Sequence, residues 1–313
     1  MNKSKVSIVM VNWNGLEDTI ECLESLKKIT YPNYEVVVID NGSDGNDAQV
    51  LEDRFGDYIN LIKKDRNYGG CGGVNIGIKY VIDNSNADYI LVLDNDVVVD
   101  PIFLTEMVKV VQADATIGMA SALIYHYDEP SRFHSIRDKA NLWRLDYYLT
   151  LGLIIEVIRR KIFKRKDIYR GQYDSIKEVE NIGFWCALLN RRRIESIGLF
   201  VEEFLGFEGV NYVIRARKAG YKVVYVPKAK VWHKFRSTNR IDGVWQYYGC
   251  SGLFRFMRRH ATKWQYRCFL IQFFAVHIWL ATAYYLLWHH RPSVLLSFCK
   301  GVRDGVFSTK ETP

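Results

Sequence analysis

Three short apolar runs near the start of the chain each end in polar residues. The runs cover residues 6–11, 35–39 and 89–93. Such runs are typical of buried strands, and helical patterns lie between them, over residues 16–29 and 47–55. The alternation of strands and helices predicts an α/β fold around a mostly parallel sheet. Polar residues at the strand ends predict a ligand crevice at the carboxyl edge of that sheet.

The third run is followed directly by Asp94, Asn95 and Asp96. Because side chains alternate along a strand, both carboxylates are expected to point the same way. Two neighbouring carboxylates at the end of a buried strand are costly unless a cation lies between them. A divalent ion that also binds diphosphate oxygens is the usual solution, and a solvated turn is the alternative.

A glycine-rich segment, residues 69–77, leads into a helix that is expected to extend through Tyr80. Because glycine has no side chain, the segment would let the backbone approach a ligand closely. It does not open the first strand–helix unit, so a dinucleotide-binding fingerprint fits poorly. Further along, the pattern predicts a helix over residues 208–219 and a strand over residues 222–226 that ends at Pro227.

Composition narrows the class of protein. The chain has 313 residues, 49% of them hydrophobic and 25% charged, which is typical of a globular protein. Its net charge of +8 favours anionic partners such as nucleotides or acidic lipid. Nucleic acid is not expected, because the basic residues lie beside apolar stretches.

The six cysteines form no CxxC pair, so neither a zinc site nor a disulfide framework is indicated, and a reducing cytoplasm is expected. We see no secretory leader pattern before the first strand.

The end of the chain differs in character. Residues 268–288 carry no formal charge and are long enough to cross a bilayer. Gln272, His277 and Thr282 interrupt this stretch, however, and its tyrosines and tryptophans suit a membrane interface. We therefore expect an amphipathic or partly embedded helix rather than a full span or a soluble helix. The basic residues of 254–267 would face anionic headgroups.

These patterns predict two regions. Residues 1–240 would form the α/β domain, with a basic and apolar insert near residues 132–175, and residues 241–313 would form a helical, membrane-associated region. Within the insert, residues 153–163 have the pattern of a helix with a basic end. That helix fits an ordinary protein surface and a membrane surface equally well.

Four blocks of sequence, at residues 6–14, 37–44, 67–77 and 91–96, carry a resemblance to a known family. In this order and spacing they resemble the family 2 glycosyltransferases, which have the GT-A nucleotide-sugar fold. The glycine-rich block is most similar to the rhamnosyltransferase-like branch. The resemblance covers about residues 5–235.

The resemblance implies a site for a UDP- or dTDP-sugar and a Mg²⁺ or Mn²⁺ ion. Trp13 would stack on the base, unless it is a packed core residue. Asp40 would bind the base or ribose, unless it caps a helix or is a turn residue. The metal ligands would be Asp96 and His233. The nucleotide-sugar contacts would be Asn12, Trp13, Asn14, Asp40, Asn67, Gly69, Gly73, Asn75, Asp94 and Asn95.

On the acceptor side, the resemblance implies that Trp185 could form a platform for a sugar ring, although a structural role fits this tryptophan equally well. The family usually has a Glu-Asp pair and a later Asp where this chain has Glu208, Gly209 and Asn211. The Asp of that pair is commonly the general base. Glu208 is therefore the candidate base here, and the alternative is that it caps the helix or pairs with Arg215.

Together these features predict a metal-dependent, inverting glycosyltransferase. It would transfer a sugar to a hydroxyl of a glycan acceptor, which we expect to be linked to lipid, in the synthesis of cell-surface polysaccharide or glycoconjugate. The expected location is the cytoplasmic face of the membrane, with peripheral attachment. The substitutions at Gly209 and Asn211 leave an alternative, a catalytically degenerate protein that binds a nucleotide sugar or acts as a scaffold. The oligomeric state stays open.

Overall fold

The computed structural model describes residues 4–130, 132–133, 174–179, 186–202, 207–234 and 243–307. The described residues fall into two compact units. Those before residue 140 and those from 174 to 234, apart from Phe207, form the first unit. Phe207 and residues 243–307 belong to the second. Most of the predicted insert near 132–175, including the pattern at 153–163, lies outside the described residues.

A mixed sheet forms the centre of the first unit, and its described strands follow the order β3-β2-β1-β4-β8-β6-β9-β5, with β7 paired to β9. The strands are β1 Val6–Asn12, β2 Tyr34–Asp40, β3 Ile59–Lys63, β4 Tyr89–Leu93, β5 Val97–Val99, β6 Ile117–His126, β7 Lys177–Glu178, β8 Cys186–Asn190 and β9 Lys222–His233. β5, β7 and β8 run against the others, which share one direction. The predicted α/β class with a mostly parallel sheet is confirmed.

Helices cover both faces of this sheet. They are α1 Leu16–Leu26, α2 Asp47–Phe55, α3 Gly69–Asn84, α4 Phe103–Ala113, α5 Arg191–Ile197 and α6 Glu208–Lys218. On β1, Ile8 and Met10 join an apolar core with residues of α1, α2 and α4. Val9, between them, joins the core that holds residues of α3, α5 and α6. This alternation follows from the two-residue period of a strand.

Three predicted boundaries are corrected. α1 ends at Leu26, before the predicted residue 29. β9 continues past Pro227 to His233, because the pairing of β6 with β9 shifts register between Val226 and Lys230. A proline is tolerated at such an irregularity, where no ladder hydrogen bond is required from its nitrogen.

The glycine-rich segment is the third correction. α3 already begins at Gly69, so these glycines lie within the helix rather than in chain leading to it. A Cβ on Gly77 would lie 2.4 Å from Val9 Cγ1 and 2.6 Å from Ile39 Cδ1. A Cβ on Gly73 would lie 2.9 Å from Val11 Cγ1. The two glycines therefore let α3 pack closely on β1 and β2.

The second unit contains three described helices, α7 Gly243–His260, α8 Lys263–Trp288 and α9 Pro292–Phe307. Two turns of α8, Phe273–His277 and Tyr284–Trp288, are π-helical. Thr262 and Gln265 form a capping box at the start of α8. Among the described residues, α8 is a helix long and apolar enough to cross a membrane.

Candidate functional site

Asp94, Asp96 and His233 come together at the carboxyl edge of the sheet. The two carboxylates lie in the turn between β4 and β5, and His233 ends β9. Pairing of Val97 with His233 brings the turn and the strand end side by side. His233 Nε2 lies 3.3 Å from Asp96 Oδ1 and 3.5 Å from Asp94 Oδ2. The predicted convergence of the carboxylates is present, although a turn rather than a strand produces it.

The donor set of this cluster suits a divalent cation. One ligand atom from each of the three residues lies within 4.8 Å of the others. Burial raises the pKa of Asp96 to about 6, and the charges of Asp94 and Asp18 add to the rise, while His233 opposes it. A bound cation would relieve the cost of these clustered charges. Carboxylate oxygens suit Mg²⁺ and Mn²⁺, and an imidazole nitrogen is compatible with the softer Mn²⁺.

Lys234, which the sequence did not single out, lies beside this cluster. Its Nζ is 2.5 Å from both Asp18 Oδ1 and Glu21 Oε2 on α1. Burial lowers the pKa of Lys234, but the hydrogen bonds to the two carboxylates outweigh it and the net shift is upward. The Lys234 backbone N–H donates to Asp96 O at 3.1 Å. Lys234 thus ties α1 and the metal-site turn to the end of β9.

A chain of buried polar side chains runs from the same turn to Asp40. Asn95 Nδ2 donates to Thr19 Oγ1 at 2.9 Å, and Thr19 Oγ1 donates to Asn12 Oδ1 at 2.8 Å. Asn12 Nδ2 then donates to Asp40 Oδ1 at 2.9 Å and to Asp47 Oδ2 at 3.0 Å. Thr19 and Asn12 are fully buried. The network joins the Asp94–Asp96–His233 cluster to Asp40, the predicted nucleotide-binding residue, through side chains whose hydrogen bonds are made to one another.

The predicted base-binding residues lie at the ends of β1 and β2. Trp13 is 52% exposed, so the alternative of a packed core tryptophan is wrong. Asn14 has a positive φ of 51° and exchanges hydrogen bonds with Asp44. Asp40 is buried and also accepts from Ser43 Oγ at 2.7 Å. An exposed indole beside a buried carboxylate is an arrangement that can stack on a base and bind its sugar.

Three of the predicted nucleotide-sugar contacts make hydrogen bonds within the fold: Asn67, Gly69 and Asn75. Asn67 Oδ1 accepts from Asn41 Nδ2 at 2.9 Å and from the Gly69 N–H at 2.7 Å, at the start of α3. Asn75 is buried, donates to Phe200 O at 2.8 Å and accepts from the Phe200 N–H at 3.0 Å. These bonds favour a packing role for Asn75, as the close contacts do for Gly73, over the predicted contact with a nucleotide sugar.

The predicted acceptor side is described only in part. Trp185 lies outside the described residues. Glu208 is the first residue of α6 and is half-buried. Asn211, one turn later, is buried and accepts from Arg215 Nε at 3.0 Å. Arg215 also donates to Ile197 O and Leu199 O. Asn211 therefore anchors an arginine that holds the segment after α5, and the role of Glu208 as base stays a prediction.

The family model for glycosyl transferase family 2 matches residues 7–194 of this chain. The chain belongs to that family. The match spans the strands that carry Asn12, Asp40 and the Asp94–Asp96 turn. The predicted membership of family 2 is therefore confirmed. The rhamnosyltransferase-like branch stays a prediction.

Curated relatives share about a quarter of their aligned residues with this chain. The galactofuranosyltransferase GlfT2 of Mycolicibacterium smegmatis is 23% identical over 79% of this chain and 39% of its own length. The low-salt glycan biosynthesis hexosyltransferase Agl10 of Haloferax volcanii is 24% identical over 70% of this chain and 63% of its own. The poly-beta-1,6-N-acetyl-D-glucosamine synthase of Staphylococcus epidermidis is 22% identical over 77% and 52%. The chain thus spans less than two thirds of each of these relatives.

Solved structures share the fold at lower identity. The mannosyltransferase PcManGT from Pyrobaculum calidifontis, in complex with GDP-Man and Mn²⁺, has a TM-score of 0.57 at 15% identity and covers 99% of this chain and 89% of its own. GalNAc-T7 with UDP, GalNAc and Mn²⁺ has a TM-score of 0.55 at 17% identity, covering 74% of this chain and 43% of its own. At these identities the likeness shows the GT-A-like fold.

Proposed function

We propose that this protein is a metal-dependent, inverting glycosyltransferase that uses a nucleoside-diphosphate sugar. The observation that carries the proposal is the continuous link from the Asp94–Asp96–His233 cluster, through Asn95, Thr19 and Asn12, to Asp40. It joins a site suited to a divalent cation to a site suited to a nucleoside. A ligand with a diphosphate next to a nucleoside fits both.

In this mechanism Asp96 and His233 would hold the metal, and Asp94 would contact the ribose or donor sugar. When bound, the metal supplies Lewis-acid stabilisation of the departing diphosphate. Trp13 stacks on the base, and Asp40 orients the nucleoside. Glu208 takes the proton from the acceptor hydroxyl, whose oxygen attacks the anomeric carbon as the bond to the diphosphate breaks. Attack from the face opposite the leaving group inverts the anomeric centre.

The donor is proposed to be a UDP- or dTDP-linked hexose or rhamnose, and the metal to be Mg²⁺ or Mn²⁺. The presence of Mn²⁺ in the complexes of GalNAc-T7 and PcManGT supports the proposal of a divalent metal. The names of two relatives, the low-salt glycan biosynthesis hexosyltransferase Agl10 and the poly-beta-1,6-N-acetyl-D-glucosamine synthase, support a glycan acceptor. We further propose that this acceptor is lipid-linked and is met at the cytoplasmic face of the membrane, where the C-terminal unit attaches peripherally.

A thermal-shift panel tests the donor site. UDP-, dTDP- and GDP-sugars are each added with and without Mn²⁺, because a ligand that binds only the folded state raises the melting temperature. We expect a metal-dependent shift with a UDP- or dTDP-sugar that Asp96→Ala abolishes. A shift that persists in Asp96→Ala, or none with any nucleotide, would contradict the proposal.

The second candidate is a nucleotide-sugar-binding scaffold without turnover. It is favoured by Gly209 in place of the family's Asp and by the use of Asn211 to hold Arg215. Glu208→Gln separates the two candidates. A transferase loses product formation in this variant but keeps the metal-dependent thermal shift, because the base acts on the acceptor. A scaffold shows the shift in both proteins and forms product in neither.

A further inference from the structure

One face of α8 exposes apolar side chains to solvent. The indole of Trp264 is 72% exposed and that of Trp279 is 67% exposed. Ile271 and Leu287 are 71% and 70% exposed. These residues recur every seven or eight positions, so they lie along one stripe of the helix. We call this stripe the outer face of α8. A continuous exposed apolar stripe of this length marks a contact surface.

The opposite face of α8 packs within the same unit at its three buried residues, Phe269, Phe273 and Tyr285. Phe254 of α7 contacts Phe269 and Phe273, with ring centroids 5.1 and 4.7 Å apart. Phe298 of α9 lies 6.2 Å from Phe273 and 6.0 Å from Tyr285. α8 therefore does not stand alone, and α7 and α9 run beside it.

Basic residues lie at both ends of α8. Lys263 and Arg267 are exposed at its beginning, and Arg291 is exposed just after its end. The charge-free outer face lies between these positions. Apolar and aromatic side chains on one face, with cations at the borders, form the pattern that binds anionic phospholipid at a bilayer surface.

We propose that α8 lies in the plane of an anionic phospholipid bilayer, with its outer face embedded in one leaflet. A helix that crossed the bilayer would carry α9 with it, because Phe298 packs on the middle of α8. Lys300 and Arg303 follow Phe298 in α9 and are exposed, so a spanning arrangement would place their charges in hydrocarbon. The in-plane arrangement buries only the outer face and leaves these charges in water.

This inference specifies how the protein would bind the membrane named in the proposed function. It rests on that function only for the statement that the acceptor is met at the membrane. Its test needs neither donor nor acceptor. The full chain is floated with phosphatidylcholine vesicles that contain or lack phosphatidylglycerol. We expect flotation with the anionic vesicles, and loss of most of it in the triple variant Ile271→Glu/Trp279→Glu/Leu287→Glu.

The matched control carries the same three new charges at exposed apolar residues outside α8. These are Ile102, Ile176 and Val244, which are 46%, 53% and 56% exposed. Ile102→Glu/Ile176→Glu/Val244→Glu should float like the parent protein. The melting temperatures of both triple variants in vesicle-free buffer, compared with that of the parent protein, show whether they are folded. Equal loss in both variants would overturn the outer face as the binding surface.

Cysteine labelling then separates an in-plane helix from a spanning one. In a Cys268→Ser/Cys299→Ser background, which removes the two cysteines that are not buried, Arg259→Cys and Ser293→Cys place one thiol near each end of α8. A membrane-impermeant maleimide added outside vesicles should label both thiols equally in the in-plane arrangement. Protection of one thiol would overturn the proposal in favour of a span. No flotation, with a dimer mass that the α8 triple variant reduces to that of a monomer, would assign the outer face to a second copy instead.

Discussion

The two units of this protein place polar and apolar side chains in opposite ways. At the carboxyl edge of the sheet, polar groups are buried, as with Asn12 and Thr19, and their hydrogen bonds are made to one another. On α8, large apolar groups are exposed, as with Trp264 and Trp279. Both are departures from the usual division of residues between interior and surface.

The difference separates a site whose polar groups are paired within the fold from a surface that we propose to bind a membrane. Buried polar groups must be paired in the fold itself, so the framework of the proposed donor site is in place before any ligand arrives. Exposed apolar groups gain stability only when something covers them. Substitutions among the buried polar residues should therefore affect folding and ligand affinity. Substitutions on the outer face of α8 should affect only the partition of the protein between water and membrane.

The largest stability effect is expected where α3 meets the sheet. Gly77→Val should destabilise the protein by about 3 kcal/mol, because the new side chain would overlap Val9 and Ile39. Gly70 lies in the same helix, and a Cβ added there would have nothing within 4 Å. Gly70→Ala should therefore stabilise by up to about 1 kcal/mol. Urea unfolding measures both, and equal effects of the two variants would contradict the packing role of Gly77.

The polar network gives the next largest effect. Thr19→Val keeps the shape of the side chain but leaves Asn12 Oδ1 without its donor, at a cost of about 2 kcal/mol. The melting temperature should fall, and the thermal shift with nucleotide and Mn²⁺ should become smaller. Thr19→Ser keeps the hydroxyl and should retain the shift. A Thr19→Val protein with the full metal-dependent shift would show that the network does not link the two parts of the donor site.

Metal affinity should depend on pH through Asp96. Because the pKa of this carboxyl is raised to about 6, a proton competes with the metal as pH falls through that value. Mn²⁺ affinity should fall by roughly tenfold per pH unit below pH 6 and level off above it. Titration calorimetry between pH 5 and pH 7.5 measures this dependence. An affinity that does not change across this range would argue against Asp96 as a ligand.

The raised pKa has the opposite consequence for the metal-free protein. Protonation of Asp96 favours the folded state, because its pKa is higher there than the ordinary Asp value of 3.8. The destabilising charge of Asp96 is therefore removed as pH falls from above 6 towards 3.8. The stability difference between Asp96→Asn and the parent should therefore be largest near neutral pH without metal and should shrink at lower pH. Urea unfolding of the two proteins isolates this contribution from that of other carboxylates.

The smallest stability effect is expected on the outer face of α8. Trp279→Glu should change the free energy of unfolding in vesicle-free buffer by no more than about 0.5 kcal/mol, because the indole is 67% exposed. Phe273→Ala, less than two turns earlier on the packed face, should cost several times more. If Trp279→Glu destabilised the protein as much as Phe273→Ala, the outer face would be part of a folded interface and the contrast between the units would fail.

Much of the proposed donor site could be predicted from the sequence, because strand ends are local features. Asp40 and the Asp94–Asp96 turn follow apolar runs, and a parallel sheet brings such ends to one edge. Thr19 and Lys234 gave no such signal. Thr19 lies within an ordinary amphipathic helix, and Lys234 pairs with Asp18 from 216 positions away. A contact over that separation exists only once β9 has taken its place in the sheet.

The sequence by itself determined the α/β class, the family and the chemistry available at the strand ends, because these depend on short periodic patterns and on the order of motifs. The tertiary structure decided which side chains are free to act. It placed Asn75 and Gly73 in packing contacts, exposed Trp13, and brought His233 to the carboxylates through the pairing of β5 with β9. Roles of this kind depend on neighbours that are distant in the chain, so local patterns do not encode them.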